Sequence, residues 1–186
     1  MNDPNANRLP IIGSDPIIDF YLGKAPDGAG RCIEEIWKFG HERLERVHDY
    51  IQWLFPLPDK SPFNRDAPVL TPKTIRAFRE SDWLRARLAR SVEVMLDFYG
   101  LQAMPTEGGN LIIVKGVTFE SKAEAWLEQE NHNHLRLSRI LASTRILGLE
   151  VFSRALFTCL SEIYQAHKDK ISSRTYQFWT AAASYR

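Results

Sequence analysis

The chain has only two cysteines, no apolar run long enough to span a bilayer, and almost no net charge. Cys32 and Cys159 lie far apart, so no disulfide framework of the small secreted kind is available. Cys159 falls among Phe152, Leu156, Leu160 and Ile163 at helical spacing and reads as a small buried hydrophobe. The longest aliphatic stretch, Leu111 to Val114, is far short of a spanning helix. The opening Met1-Asn2-Asp3-Pro4-Asn5 is polar and lacks the basic start and apolar stretch of an export signal. Together these point to a soluble, cytoplasmic protein. With 24 basic against 23 acidic side chains, charge gives no reason to expect nucleic acid or an anionic membrane as partner. No H-E-x-x-H, C-x-x-C, G-x-S-x-G, phosphate loop or dinucleotide fingerprint occurs. The reading is therefore not an enzyme, with no cofactor and no metal.

What remains is an ordinary globular composition, 44% hydrophobic and 25% charged over 186 residues, enough for one domain with a real core. Residues 1–13 read as a flexible start, 14–168 as a helical domain and 169–186 as a C-terminal helical tail. Ser14-Asp15-Pro16 is a helix start, with a capping side chain ahead of proline, and that short helix ends at Gly23. A turn-rich loop over 24–30 leads to a brief helix from Cys32 to Trp37. Leu44, Val47, Ile51, Leu54 and Phe55 share a face, predicting one amphipathic helix over residues 42–55, stopped by Pro56 and Pro58.

Thr71-Pro72 opens another helix, and Asp82 to Tyr99 a longer one closed by Gly100. Residues 101–120 do not read as helix. A small hairpin around 110–119 is expected there, with Lys115-Gly116 as its two-residue turn. Ser121 to Glu124 reads as a capping box opening a helix that carries Trp126 and Leu127. Helices over Asn133 to Leu147, Glu150 to His167 and a last segment with Tyr176, Phe178 and Trp179 complete an all-α domain of about seven helices.

Some polar and aromatic groups fall where a simple amphipathic pattern does not put them. On 42–55 the side opposite the core face carries Arg46, Asp49, Tyr50 and Trp53, with His48 and Gln52 at its border. Tertiary cover is the more economical explanation for such a tryptophan, a binding surface the sharper one. On 133–147, Leu137, Ile140, Leu141 and Leu147 form one stripe and Leu135, Ala142 and Ile146 a second. Such a helix belongs near the centre of the domain. Arg136, Arg139 and Arg145 lie between the stripes and need acceptors: carboxylates, backbone carbonyls or a bound anion. Internal ion pairs with Asp49 and Glu150 are the expected answer. His132 and His134 are two apart, so a helix points them away from one another.

Three stretches carry a family resemblance: His48 to Leu57, Asn64 through Ala67-Pro68-Val69-Leu70-Thr71, and Asn131 to Leu141. With Phe20-Tyr21-Leu22-Gly23, Pro26-Asp27 and Met95 to Leu101, they resemble the conserved N-terminal region of the opioid growth factor receptor family, over about residues 16 to 152. The resemblance implies a helical domain. It also implies kinship with an animal receptor for the peptide Met-enkephalin that acts at the nucleus to restrain growth. No site residue comes with it. The chain stops at Arg186 without the long polar extension of the animal protein, as a stand-alone microbial relative would. The leading expectation is a binding domain for a peptide or small molecule held between the Asp49/Trp53 and Arg136/Arg139 segments. His48, Asp49, Tyr50, Gln52, Trp53, Asn131, His132, Asn133, Arg136 and Arg139 are its candidate ligand contacts. An enzyme using His48 or His132 as acid or base, and an interaction scaffold, are the rivals.

Overall fold

The computed structural model describes residues 15–61, 64 and 66–185. The expected flexible start and Ser14 lie outside the described residues. α1 (Pro16–Tyr21) begins where the sequence places it. The Asp15 carboxylate accepts from the amides of Ile17 and Ile18, and its second oxygen accepts from the Thr74 hydroxyl at 2.6 Å, tying this cap to a later helix. α2 (Ile33–Ile36) follows the turn-rich loop.

The continuous helix expected over 42–55 is two pieces, α3 (His41–Arg46) and α4 (Ile51–Leu54), with Val47 extended between them. A continuous helix would engage the carbonyls of Leu44, Glu45 and Val47 with the amides of His48, Asp49 and Ile51. Here the Arg136 guanidinium donates to all three, at 2.9, 3.2 and 3.0 Å, and the Tyr50 hydroxyl also donates to Leu44 O at 2.9 Å. A charged donor from a distant helix has replaced the local ladder, satisfying carbonyls that the break would otherwise orphan.

α5 (Pro72–Glu80) opens on the Thr71 cap, and α6 (Asp82–Tyr99) keeps its expected bounds. Gly100 ends α6 at φ 74, and a Cβ there would sit 2.7 Å from the Phe119 Cα. The expected hairpin exists but lies earlier. β1 (Leu101–Pro105) pairs antiparallel with β2 (Leu111–Lys115), Ala103 opposite Ile113, so the turn is 106–110 and not Lys115-Gly116. The glycine-closed end of α6 starts a strand at once, which the apolar run at 111–114 alone does not reveal. α7 (Phe119–Ala123) starts two residues before the expected capping box. Ser121 donates back to Thr118 O instead of capping, and Trp126 and Leu127 lie in the turn beyond the helix.

α8 (Asn133–Ile146), α9 (Glu150–Ala166) and α10 (Ser173–Ala183) finish the chain. The class is all-α, with one two-stranded sheet among the described residues. Ten helices stand among the described residues instead of seven, because several are single short turns. α8 packs against both α9 and α10, as its two apolar stripes require, and Leu137, Ile140, Leu141 and Leu147 are all buried. The buried apolar residues of every layer join in one cluster. Cys159 is buried there, its thiol pushed up to about 11 by desolvation. Trp179 donates from Nε1 to His134 O at 3.0 Å, fixing α10 to α8. Among the described residues no helix is long and apolar enough to cross a membrane.

Candidate functional site

The three arginines of α8 find acceptors, but not the carboxylates expected. Arg136 is buried. Besides the three carbonyls it donates to Asn133 Oδ1 at 3.2 Å and to His48 Nδ1 at 3.1 Å, so both terminal nitrogens are spent on protein groups. Because arginine only donates, His48 Nδ1 accepts here. Arg145 donates from Nε to Tyr185 O at 2.8 Å. Arg139 donates to Phe55 O at 3.1 Å, and poor solvation lowers its pKa from the ordinary arginine value. Asp49 pairs instead with Arg31 at 2.8 Å, and Glu150 with Arg79 at 2.9 Å. Backbone carbonyls win because the breaks and ends of helices around α8 leave them unmet, whereas both carboxylates have nearer cations.

A cavity of about 530 Å³ opens between α4, α8 and α10. α4 and the loop after it contribute Ile51, Gln52 and Leu57. α8 contributes Leu135, Arg136, Ser138, Arg139 and Ala142, and α10 contributes Phe178, Ala181 and Ala182. His48, His132, Ser61 and Tyr185 complete the wall. The surface is largely apolar, and two of its large apolar side chains stay open to solvent, Leu135 at 51% and Phe178 at 46%. Most of its polar groups are engaged. The Gln52 amide, turned so that its NH2 donates, reaches the carbonyls of His48 and Asp49 at 3.1 Å each. The Ser138 hydroxyl donates to His134 O, and the Tyr185 hydroxyl to Asp59.

The rings of His48 and His132 meet edge-on, centroids 5.0 Å apart. His132 Nε2 lies 3.3 Å from Glu45 Oε1 without the alignment of a hydrogen bond. Burial, with the Arg136 charge behind it, lowers the His132 pKa against the opposing pull of Glu45. Among the described residues no group of three or more histidines, cysteines or carboxylates is placed to hold a metal.

Five of the ten candidate residues therefore border this cavity: His48, Gln52, His132, Arg136 and Arg139. Asp49 and Trp53 border a smaller, more polar one of about 340 Å³, with Arg31, Asn64 and Asp66. Trp53 packs edge-on against Phe20, so tertiary cover accounts for its place. Tyr50 and Asn133 are buried, and Asn131 donates to Ala125 O and Glu128 in the turn before α8. Sequence reasoning missed Leu135, Phe178 and Ala181 as wall residues. The available signals were Leu135, in the second stripe of α8 and farthest from the first, and Phe178, one of the three C-terminal aromatics that could form an apolar patch or cap the core.

The architecture is that of a helical domain with a small hairpin and an apolar cavity beside its central helix. Residues 17–183 match the family model for the opioid growth factor receptor conserved region, and the chain belongs to that family. It is 39% identical to the opioid growth factor receptor of Rattus norvegicus over 174 residues, 90% of this chain and 29% of that protein. It is 39% identical to that of Mus musculus over 143 residues, 75% and 22% of the two chains. Likeness to opioid growth factor receptor-like protein 1 of Rattus norvegicus is 35% over 141 residues, 74% and 29%. The chain thus spans less than a third of the length of these relatives. No solved structure matches it.

Proposed function

We propose that the chain is a non-enzymatic binding domain whose ligand, a small molecule or short peptide, occupies the cavity between α4, α8 and α10. The cavity's size and lining carry the reading: about 530 Å³ lies in the range of small-ligand sites, and a few polar groups border an apolar wall as such sites do. The relatives' name, opioid growth factor receptor, supports ligand binding as the activity to look for. A role in growth regulation is part of the same proposal. The test is ligand-observed NMR against a mixed fragment and short-peptide library, with the wild type and with Ala181→Trp, which fills the cavity from α10. Hits that vanish with Ala181→Trp are expected. Hits that bind both proteins alike would place recognition elsewhere.

One observation favours a second reading, an acid–base site. His132 borders the cavity beside His48 and Glu45 with its pKa held below the ordinary histidine value, a combination that suits a neutral imidazole acting as a base. NMR titration of the His132 ring in the presence of cavity ligands decides it. A bound ligand whose chemical shifts and turnover ignore the His132 titration would dismiss this reading.

A further inference from the structure

Arg136 and Arg139 stand one helical turn apart on α8, both border the cavity, and their donors are in opposite conditions. Arg136 divides its terminal nitrogens among three carbonyls, an amide oxygen and a ring nitrogen. Arg139, half-buried, makes one hydrogen bond among the described residues, to Phe55 O, and no ion pair. A guanidinium has five N–H donors in a planar fork that matches a carboxylate bidentately. Holding that fork largely unmet beside apolar surface carries a desolvation cost that an anion in the cavity would offset.

We infer that the cavity recognises a free carboxylic acid with an apolar body, the carboxylate on Arg139 and the body against Ile51, Leu57, Leu135, Ala142 and Phe178. This rests on the cavity being the binding site. The choice of a free acid over a peptide follows from the wall. A peptide brings an amide N–H and a carbonyl every residue, and each buried one needs a partner. The Gln52 amide, the Ser138 and Tyr185 hydroxyls and the Arg136 guanidinium are all turned to protein acceptors. With these donors spent, a peptide's buried carbonyls would find few partners, whereas one charged head and a body of roughly ten carbons ask only for the Arg139 fork and apolar surface.

Calorimetric titration of the chain with decanoate and with decan-1-ol, the same body without the charge, tests this. The wild type is expected to bind decanoate at least about tenfold more tightly. Arg139→Met is expected to remove that preference and leave the affinity for the alcohol unchanged. Equal affinity of the wild type for acid and alcohol would overturn the carboxylate inference while leaving the cavity reading intact. Decanoate binding that survives Ala181→Trp would overturn the cavity reading as well. A chain that ignores both probes but binds a short apolar peptide with a free, not an amidated, C-terminus would replace the free acid with a peptide end. The acid–alcohol contrast is read on the wild type, so it stands even where Arg139→Met fails to fold.

Discussion

Arg136 does structural work that its charge alone does not convey. Its guanidinium closes the break between α3 and α4 by meeting the carbonyls of Leu44, Glu45 and Val47 from about ninety residues away in sequence. Arg136→Met keeps the apolar stem but leaves those acceptors unmet, so a loss of about 3 kcal/mol in urea unfolding is expected. A loss below about 1 kcal/mol would mean that water replaces the guanidinium.

His134 gives the residue scale its pH dependence. The ring is buried, Nε2 lies 3.0 Å from Trp126 O, and Nδ1 has no partner among the described residues. Burial lowers its pKa below the ordinary 6.5, and the lowering at His132 has the same sign. A depressed folded-state pKa means that the unfolded chain takes the proton first. The stabilisation is complete above about 6.5 and is lost as pH falls through the folded-state pKa. Urea unfolding at pH 7.5 and 5.5 should show this loss, and His134→Gln, which keeps a donor for Trp126 O, should diminish it.

Among the elements, the α6–β1 corner is the most tightly specified. Gly100 has φ 74, and a Cβ would meet the Phe119 backbone at 2.7 Å, so Gly100→Ala combines backbone strain with a clash that no side-chain rotation relieves. Thermal unfolding should show a destabilisation of about 2 kcal/mol or more. Elements bounded by local chemistry were legible in the sequence: the Asp15 and Thr71 caps, the whole of α6, the glycine stops, and α8 and α9 with their apolar stripes. Those that failed were set by distant partners. The 42–55 pattern is a fair amphipathic helix until α8 is present, and the capping box at Ser121 is pre-empted because Phe119 is already held against Gly100. The hairpin's turn was misplaced because its first strand, Leu101 to Pro105, is pale in composition and is defined by pairing with β2. The same limit governs the candidate site. Polar residues of α4 and α8 could be read from their odd positions, whereas the apolar wall from α10 depends on how that helix docks.

Across the whole molecule the buried apolar side chains form one cluster that takes in Phe20 of α1 and Trp179 of α10. Trp179 is fully buried, edge-on to His134 and hydrogen-bonded to its carbonyl. Trp179→Ala should cost about 4 kcal/mol. It should also lower a single melting transition, coincident by far-ultraviolet circular dichroism and tryptophan fluorescence. A separate early transition assignable to residues 169–186 would mean that the last helix is an independent tail.

The bend at Val47 also bears on what this segment is before it meets the rest of the chain. A peptide covering residues 41–56 has no Arg136 to reach it, and its own spacing favours one unbroken helix. In trifluoroethanol it should be helical straight through 47–50, as backbone chemical shifts would report. Its native shape is then borrowed from α8. One wall of the cavity comes into being only when two regions of the chain dock, and conformation and site are acquired in the same event.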